Sequence, residues 1–395
     1  MKYQENSNAV TLFFSGRVDT TSAPAVEAEA MEILNQNAGK EIIVDAGELE
    51  YISSSGLRII MRMAKRGVPM QVINTSREVY EVFEMTGFTS ILPVKQALRR
   101  YSVEGCTVIG QGAVGTVYRY DPETIIKVYR EGTPLEELEK ERERAQLAFV
   151  NGIPTAISYN IVQVGDCYGL VYELIDSRSL GNLITANPEK AEEYAVLLAK
   201  VLKQVHAIDA SDMDLTYAAD SYVKAAKNME FVMEPDEYDF VLKWIDAMPR
   251  AQVMIHGDFH PQNIMMQDGE PLLIDMGDIG IGHPLYDIAI TYFVIFCLSP
   301  ERAAKISGVP QSCARQFWQK FASAYTGIED EEKLARFEEI VYSAAYLRAA
   351  IVQGISSSFT REAKAQRVAE LRERIFPRKE EMLRALANAG EFFNC

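Results

Sequence analysis

Three polar side chains lie close together in the sequence between residues 255 and 278, each beside a strongly apolar run. Asp258 and Asn263 belong to the segment IHGDFHPQNIM, and Asp275 follows in LLIDMGD, 17 residues after Asp258. An aspartate can orient or deprotonate an attacking hydroxyl group. Amide and carboxylate oxygens are ligands that Mg²⁺ prefers, and Mg²⁺ bridges nucleotide phosphates. The spacing therefore predicts a phosphoryl-transfer site, with Asp258 acting on a hydroxyl group and Asn263 and Asp275 offering oxygens to the metal.

A glycine-rich segment lies about 150 residues earlier and predicts a phosphate-binding loop. In VIGQGAVGTVYRY, the glycines Gly110, Gly112 and Gly115 form a GxGxxG pattern. This pattern alone also fits a dinucleotide-binding turn, which runs into a helix. Here the residues that follow, Thr116–Arg119, are β-branched and aromatic and predict a strand. A glycine loop between two strands is typical of the phosphate cover in kinase-like folds.

A lysine inside an apolar strand strengthens the prediction of a nucleotide site. Lys127 lies in IIKV, where an isolated ammonium group would be costly to bury. Burial of Lys127 becomes favourable if its ammonium group contacts nucleotide phosphates and a helix glutamate. Glu141 and Glu143 both lie in the next helical stretch, Leu135–Val150, and of the two we prefer Glu141. A later strand, LVYEL, ends beside Glu173, where kinase-like folds place the hinge that receives adenine, so Glu173 joins the predicted nucleotide site.

Together these motifs resemble the aminoglycoside phosphotransferase family, also described as choline-kinase-like phosphotransferases. Its HGDxHxxN element matches His256–Asn263 and its IDxxD element matches Ile274–Asp278. The resemblance spans roughly residues 105–350. It implies a bilobal α+β fold like that of protein kinases, with ATP (or GTP) as phosphoryl donor and Mg²⁺ as metal.

The resemblance also assigns roles to individual residues. It implies that Asp258 is the catalytic aspartate and that Asn263 and Asp275 hold the metal. It further implies that Lys127 binds phosphate and that Asp278 supports the metal site.

The segment after Asp278 bears on the acceptor. Protein kinases place an activation loop and an APE motif here, whereas this chain has only Ile279–Tyr286 before the next helical stretch. Without a platform for a peptide, we expect a small hydroxyl- or amine-bearing acceptor bound among the C-terminal helices. The acidic balance of this part of the chain would suit a cationic acceptor.

The four histidines of the chain lie in or near these motifs, which raises a zinc site as an alternative. Three of them, His256, His260 and His283, fall within one segment, but no cysteine is near. We expect His256 to brace the loop backbone and His260 to face the phosphates. His206 is expected to be structural, and Asp287 to anchor the helix that follows it.

The first 98 residues alternate between strand-like and helix-like segments, which predicts a small α/β domain. Apolar runs mark the strands, and apolar residues at helical spacing mark the helices. The predicted strands are Val10–Ser15, Glu41–Ala46 and Met70–Ile73, and the predicted helices are Ala25–Asn35, Leu57–Arg66 and Val79–Met85.

Three segments of this region resemble the STAS domain, the fold of the anti-sigma-factor antagonists of bacteria. They are GRVDTTSAP (Gly16–Pro24), IIVDAGELEYISSSGLRII (Ile42–Ile60) and EVYEVFEMTGFTSILPV (Glu78–Val94). In that family the serine immediately before the glycine is phosphorylated. The resemblance therefore implies Ser55 as phospho-acceptor and an anti-sigma factor or other regulatory protein as partner.

The chemistry of Ser55 allows a second interpretation. A serine at the start of a helix normally caps free backbone N–H groups. A phosphate there would add about −1.5 to −2 charges beside the positive end of the helix dipole. The family often has aspartate at the position of Ser53, so the usual local charge is missing here.

Composition limits the class of protein. The chain has 395 residues and a formal charge of −16, with 48% hydrophobic and 24% charged residues. This length and balance predict a folded protein of more than one domain. An acidic surface argues against broad binding to nucleic acid or to anionic membranes. The N-terminus has no signal-peptide core, and the longest apolar stretch, Ile288–Leu298, is too short to span a bilayer, so we expect a bacterial cytoplasmic protein.

Charge and pattern change near residue 100 and divide the chain. The first 100 residues hold 11 basic and 12 acidic residues, which leaves 29 basic and 44 acidic residues for the remainder. We predict a STAS-like domain at residues 1–98 and a phosphotransferase domain at 102–395, with an N-lobe to about 175 and a C-lobe from about 176. The five cysteines are scattered, without a CxxC pair, and are expected to be reduced thiols: Cys106, Cys167, Cys297, Cys313 and Cys395.

The sequence thus predicts an ATP- and Mg²⁺-dependent phosphotransferase of a small molecule, coupled to a STAS regulatory domain. The alternative is a regulatory or binding protein of the anti-sigma-factor-antagonist type. In that case the kinase-like domain would sense nucleotide or phosphorylate Ser55.

Overall fold

The computed structural model describes residues 1–112, 114–355 and 359–393. Contacts divide the chain into two compact units. The first comprises Met1–Ser102 together with Ile161–Asp166, and the second comprises Val103–Asn160 and Cys167–Cys395. Cys395 lies outside the described residues, and the other four cysteines are free thiols.

The first unit is a five-stranded sheet with helices between its parallel strands. The strand order is β1-β2-β3-β4-β5, in which β1 is antiparallel to β2 and the remaining neighbours are parallel. The strands are β1 (Lys2–Glu5), β2 (Ala9–Val18), β3 (Glu41–Ile52), β4 (Met70–Thr75) and β5 (Val94–Gln96). The helices are α1 (Ala23–Gln36), α2 (Ser54–Ala64) and α3 (Arg77–Met85).

The core of this unit lies where alternate strand residues meet the apolar faces of the helices. Val10, Leu12 and Phe14 of β2 are buried at every second position, which is the period of a strand with one face on the core. Ile60 and Met63 of α2 are buried against the same core. The period of the apolar residues therefore fixes both the strand faces and the helix faces of this unit.

The predicted elements of the first unit are confirmed, although the structure extends most of them. The strand predicted over Glu41–Ala46 continues to Ile52, and the helix predicted from Leu57 begins at Ser54. The sequence pattern did not reveal β1 and β5. These two strands are short and lie at the edges of the sheet, so they carry little of the apolar alternation that marks the others.

The second unit begins with a sheet that carries the glycine-rich segment and the lysine strand. In this sheet the strands of the second unit follow the order β11-β9-β8-β7. They are β7 (Thr107–Gln111), β8 (Gly115–Arg119), β9 (Thr124–Tyr129) and β11 (Cys167–Glu173). Strand β10 (Ser158–Val164) begins in the second unit, and its residues from Ile161 belong to the first. The helix α4 (Leu135–Val150) lies between β9 and β10 in the chain, with the bounds that the sequence predicts. A short strand β6 (Arg99–Tyr101) runs parallel to Val162–Val164, within the first unit as its contacts define it.

The remainder of the second unit is mainly helical. Its short strands are β12 (Arg178–Ser179), β13 (Val253–Ile255), β14 (Ile264–Gln267), β15 (Glu270–Leu273) and β16 (Gly280–Gly282). Its helices are α5 (Leu180–Ala186), α6 (Ala191–His206), α7 (Ala218–Lys227), α8 (Pro235–Asp246), α9 (Leu285–Phe296), α10 (Pro300–Ser307), α11 (Ala314–Thr326), α12 (Glu331–Ile355), α13 (Arg361–Arg374) and α14 (Lys379–Ala387).

Helix α9 lies at the centre of this helical region. Its residues from Leu285 to Ile295 are all buried, which explains why the sequence is apolar on every side of the helix. It packs against α10 and α12. The apolar stretch Ile288–Leu298 therefore forms a core helix and its end, and among the described residues no helix meets the length and apolarity that a bilayer crossing requires.

Candidate active site

The segment that carries Asp258 is a tight loop after β13. Gly257 has φ of +82°, and a Cβ atom at this position would lie 2.2 Å from the backbone oxygen of Asp278. A side chain there would both strain the backbone and collide with the neighbouring loop. The glycine of the HGD motif therefore lets the loops before Asp258 and around Asp278 approach closely.

The first turns of helix α9 hold this loop in place through hydrogen bonds. The buried carboxylate of Asp287 accepts hydrogen bonds from the backbone N–H groups of His256 (2.7 Å) and Gly257 (2.8 Å). Thr291, one turn later, donates to the backbone oxygen of Phe259 at 2.9 Å. We expected Asp287 to anchor its own helix, but its carboxylate instead holds the backbone of the loop.

Two histidines add to this support. His206 lies between the Asp287 carboxylate (3.1 Å) and the Tyr325 hydroxyl (2.7 Å), in agreement with a structural role. The ring of His256 lies 3.2 Å from the backbone oxygen of Ile274 and accepts from the Asp258 N–H. His256 therefore connects the two motif segments through their backbones.

The side chain of Asp258 remains accessible although the loop beneath it is buried. It is 35% exposed, and its Oδ2 atom lies 3.5 Å from Nε2 of His260. Burial raises the pKa of Asp258, but the nearby His260 and Arg348 outweigh it and hold this pKa below its ordinary value of 3.8. The carboxylate is therefore ionised at neutral pH. It can accept a hydrogen bond or a proton from the hydroxyl group of a substrate.

Asn263 and Asp275 each present an oxygen that suits a metal. The amide nitrogen of Asn263 donates to the backbone oxygen of Asp258 at 2.9 Å, which leaves its amide oxygen for another partner. The backbone of Ile274 donates to that of Asn263 at 2.9 Å and so keeps the two segments adjacent. Asp275 has φ of +61°, a conformation that non-glycine residues seldom adopt. These hard oxygen donors fit Mg²⁺, which binds one or two protein ligands together with phosphates and water.

Lys127 joins the sheet to Asp275, the aspartate that the sequence predicts to hold the metal. Its Nζ atom lies 2.9 Å from Oε1 of Glu141 and 2.8 Å from Oδ1 of Asp275. The Tyr172 hydroxyl also donates to Glu141, at 2.9 Å. Burial lowers the pKa of Lys127, but Asp275 and Glu141 outweigh it and raise the pKa above its ordinary value of 10.5. Glu141 is the partner in this structure, while Glu143 is exposed on the same helix.

The three motif glycines differ in their surroundings. A Cβ atom on Gly115 would lie 2.2 Å from the backbone oxygen of Val128, so this position requires glycine. A Cβ on Gly112 would contact nothing within 4 Å, and one on Gly110 would make ordinary contact with Val117. Gly110 and Gly112 thus leave space at the turn, which a phosphate cover needs.

Glu173 lies at the end of β11, as the sequence predicts, and its side chain is engaged. Its Oε1 atom accepts from the backbone N–H of Ile157 at 3.0 Å. Its own N–H donates to the backbone oxygen of Ile157, also at 3.0 Å. The Glu173 carboxylate therefore holds the end of β11 in place. If this position binds a nucleotide, the backbone near Glu173 would make the contact.

A cavity of about 210 Å³ lies beside the loop that carries Asp258. Gly257 and Asp278 form one wall, and the helices α7 and α12 form another. Its charged lining consists of Arg144, Lys224, Asp278 and Arg348. Burial and the charge of Asp258 raise the pKa of Asp278 above its ordinary 3.8. This net positive lining is opposite to the charge that a cationic acceptor would favour.

The histidines proposed for a zinc site have separate partners. His283 accepts from the Leu285 backbone N–H at 3.1 Å and packs against Phe393, whereas His260 faces Asp258. No group of three His, Cys, Asp or Glu side chains in residues 1–112, 114–355 and 359–393 is placed to hold a metal ion.

In the first unit, Ser55 lies in the first turn of α2, but it is Ser53 that caps the helix. The Ser53 hydroxyl accepts from the backbone N–H groups of Ser55 (3.2 Å) and Gly56 (3.5 Å). The capping role considered for Ser55 is therefore performed two residues earlier. A Cβ on Gly56 would lie 2.6 Å from Ile52, so the residue after Ser55 must be glycine.

Sequence reasoning did not identify several residues that line or brace the site. Arg348 and Lys224 lie on helices whose arrangement around the cavity no local pattern reveals. Asp287 was identified as an anchor, because a single carboxylate in an otherwise apolar helix has to find buried partners, but its partners in the loop before Asp258 were not identified. Tyr172 carried no such signal in the sequence.

Comparisons with known proteins agree with this organisation. A model of the phosphotransferase enzyme family matches residues 105–308, and a model of the STAS domain matches residues 1–100. A putative anti-sigma factor antagonist, BtrV of Bordetella bronchiseptica, is 36% identical over 83 residues, which are 20% of this chain and 71% of that protein. An anti-sigma-B factor antagonist of Listeria monocytogenes is 25% identical over 96 residues, covering 23% of this chain and 83% of the relative.

Solved structures similar to this chain include two kinases. An aminoglycoside-3'-phosphotransferase of type VIII shares 21% identity over 61% of this chain and 92% of its own, with a TM-score of 0.44. A choline/ethanolamine kinase family protein from Mesorhizobium loti shares 14% identity over 71% of this chain and 92% of its own, with a TM-score of 0.48.

The sequence prediction of an α/β STAS domain followed by an α+β kinase-like domain is confirmed by these family models. The larger match covers just over half of the 395 residues. The chain therefore belongs to the phosphotransferase enzyme family and carries a STAS domain at its N-terminal end.

Proposed function

We propose that this protein transfers the γ-phosphoryl group of ATP to a hydroxyl group of a small molecule. The observation that supports this most is Asp258, an accessible carboxylate held ionised on a loop whose backbone is fixed by buried hydrogen bonds. Preorganised groups of this kind are what phosphoryl transfer requires, because catalysis there rests on positioning and electrostatics.

In the proposed reaction Asp258 orients the acceptor hydroxyl and receives its proton as the oxygen bonds to the γ-phosphorus and ADP leaves. The amide oxygen of Asn263 and the carboxylate of Asp275 would hold Mg²⁺. When bound, the metal neutralises charge on the phosphates. Lys127, held by Glu141, would place its ammonium group on the phosphates.

The remaining predicted residues would form the nucleotide side. Gly110, Gly112 and Gly115 would cover the phosphates with their backbone, and the chain beside Glu173 would receive the base. The choice between ATP and GTP depends on that backbone and is part of the test below.

The first test is ADP release with MgATP or MgGTP across a panel of alcohols, amino alcohols, sugars and their acidic derivatives. We expect one class of acceptor to be phosphorylated. We expect Asp258→Asn to lower its turnover about 10²–10⁴-fold while nucleotide affinity is retained. Asp246→Asn, which changes an exposed aspartate of α8, is the matched control. Equal turnover in the Asp258 variant would refute the proposal.

We also propose that Ser55 is a phospho-acceptor through which the STAS domain is regulated. The supporting observation is that Ser53 already caps α2, and among described residues the Ser55 hydroxyl makes no side-chain hydrogen bond. A phosphate there would lie at the positive end of the helix and change the surface offered to an anti-sigma factor or other regulatory partner. The expected result is that Ser55→Asp weakens partner binding and Ser55→Ala preserves it. Equal binding by both variants would refute a switch at Ser55.

A further inference from the structure

We propose that the acceptor carries an anionic group, a phosphate or a carboxylate, which Arg348 and Lys224 bind while its hydroxyl group faces Asp258. This inference rests on the proposed function, because it describes the second substrate of that same site. It replaces the cationic acceptor that the overall acidity of the chain suggested.

The position of the cavity makes it the place for an acceptor. Gly257, immediately before Asp258, contributes to its wall, and Asp278 contributes beside it. Asp258 itself is not a lining residue, so the acceptor would have to reach past Gly257 to bring its hydroxyl group to the Asp258 carboxylate. The volume, about 210 Å³, is below the roughly 300–1,000 Å³ of pockets for drug-sized ligands, so a small metabolite fits better than an oligosaccharide.

The charged side chains that line the cavity indicate the charge of the molecule that binds there. Three cationic side chains and one carboxylate line it. Arg144 is already engaged, since its guanidinium donates to the backbone oxygen of Gly277. Arg348 and Lys224 remain, and neither has a carboxylate within 4.0 Å in the described ranges.

Arg348 is the more informative of the two. It is half-buried on α12, and its guanidinium carbon lies 5.8 Å from the centre of the Tyr222 ring. Its charge lies near the carboxylates of Asp258 and Asp278 and acts to lower the pKa of both, but no described carboxylate lies within 4.0 Å of it, so an anionic ligand would supply a direct partner. The planar guanidinium group matches carboxylate and phosphate oxygens in a bidentate geometry.

Lys224 extends the same cationic wall. It lies on α7, which packs against α12, and it both lines the cavity and is exposed to solvent. A flexible ammonium group at the entrance attracts anions and adds a point charge once they are bound. The two cations thus favour an anionic group at the end of the acceptor away from its reacting hydroxyl.

Arg348 lies near Asp258 and could act on that carboxylate alone. The test must distinguish this role from binding of the acceptor. The charge of Arg348 helps to keep the pKa of Asp258 low. If that were its whole role, removing it would affect anionic and neutral acceptors alike. If it binds the acceptor, the loss falls on anionic molecules and appears in KM.

The deciding experiment measures binding of inorganic phosphate to the full chain while saturating Mg²⁺ and a non-hydrolysable ATP analogue occupy the nucleotide side. We expect phosphate to bind to the wild-type protein and to weaken by about tenfold or more in Arg348→Gln. Arg336→Gln changes an exposed arginine of the same helix and should bind phosphate like the wild type. Absence of phosphate binding, or equal binding by Arg348→Gln, would overturn the inference.

A second arm uses turnover with matched acceptors: glycerol, glycerol 3-phosphate, glycerate and ethanolamine. A preference for glycerol 3-phosphate or glycerate distinguishes a phosphate from a carboxylate as the anionic group. Turnover of glycerol or ethanolamine with rejection of both anions would overturn the inference and leave the proposed function intact. Phosphate binding at Arg348 without Asp258-dependent turnover of any acceptor, including the wider panel, would count against the proposed function alone.

Discussion

In the proposed reaction the loop that carries Asp258 and the glycine loop would act together, but they are built in opposite ways. The loop from Ile255 to Asn263 is tied to buried groups on α9 by hydrogen bonds at its beginning and its middle. In the described residues, 1–112 and 114–355, the glycine loop is held by two backbone hydrogen bonds, from Gly112 N–H to the Gly115 oxygen and from Arg130 N–H to the Val114 oxygen, and Val114 is exposed.

The difference follows from what each loop has to do. A carboxylate that acts on a hydroxyl group must be in place before the reaction, and buried hydrogen bonds supply that order. A loop that covers a nucleotide must open for each exchange, so it needs few contacts of its own. We infer that the loop that carries Asp258 is ordered by the fold, whereas Gly110, Gly112 and Gly115 would gain their main contacts from a bound nucleotide.

The strongest way to break the ordered loop is to remove Asp287. Asp287→Ala leaves two backbone N–H groups and His206 without their buried partner. We expect the free energy of unfolding to fall by about 3–5 kcal/mol, as measured by urea denaturation. Asp246→Ala, an exposed aspartate paired with Arg250, should change it by less than about 0.5 kcal/mol. Similar losses in both variants would contradict the bracing role.

Acid should weaken the same anchored region. Burial, with a smaller contribution from His206, lowers the pKa of His283 from its ordinary 6.5 to about 4. Between these values the unfolded chain binds a proton that the folded chain excludes, so stability present above pH 6.5 is lost as the pH falls toward 4. Protonation of His283 can lower the free energy of unfolding by at most about 3 kcal/mol.

The measurement is the free energy of unfolding at pH 7 and at pH 4.5 in wild type and in His283→Asn. Asparagine keeps an acceptor for the Leu285 N–H and does not titrate in this range. The variant should therefore lose less stability on acidification than the wild type. An unchanged difference between the two pH values would show that His283 is not the group responsible.

A pair of glycine variants gives the smallest effects and compares the two loops directly. Gly257→Ala places a Cβ at φ +82° and against the Asp278 backbone, so we expect a loss of about 2 kcal/mol or more. Gly112→Ala has open space and no positive φ, so its stability should change by less than about 0.5 kcal/mol. Its effect should instead appear as weaker nucleotide binding. Equal destabilisation by both variants would remove the distinction between the loops.

The sequence revealed the groups that lie close together in the chain. Asp258, Asn263 and Asp275 fall within 18 residues, and the short connections between them leave few ways to separate the three in space. Lys127 and Glu141 were found because a buried charge needs a partner. The alternation of apolar residues likewise gave most strands and helices of the first unit.

What the sequence could not reveal depends on packing between distant segments. The cavity takes Lys224 from α7 and Arg348 from α12, which are more than 120 residues apart. Net charge averaged over the whole unit suggested a cationic acceptor, yet three of the four charged side chains that line the cavity are basic. The sequence could not show which serine caps α2, because Ser53, Ser54 and Ser55 can all cap a helix by residue type. Only the backbone geometry identifies Ser53.

The most direct test of the central claim follows the labelled γ-phosphoryl group of ATP. The full chain is incubated with Mg²⁺, labelled ATP and the acceptor panel, and the label is located on small molecule, protein or free phosphate. Our account predicts label on a small molecule, unchanged in Ser55→Ala and abolished in Asp258→Asn. Label that accumulates only on Ser55, or is released only as free phosphate in every case, would contradict it.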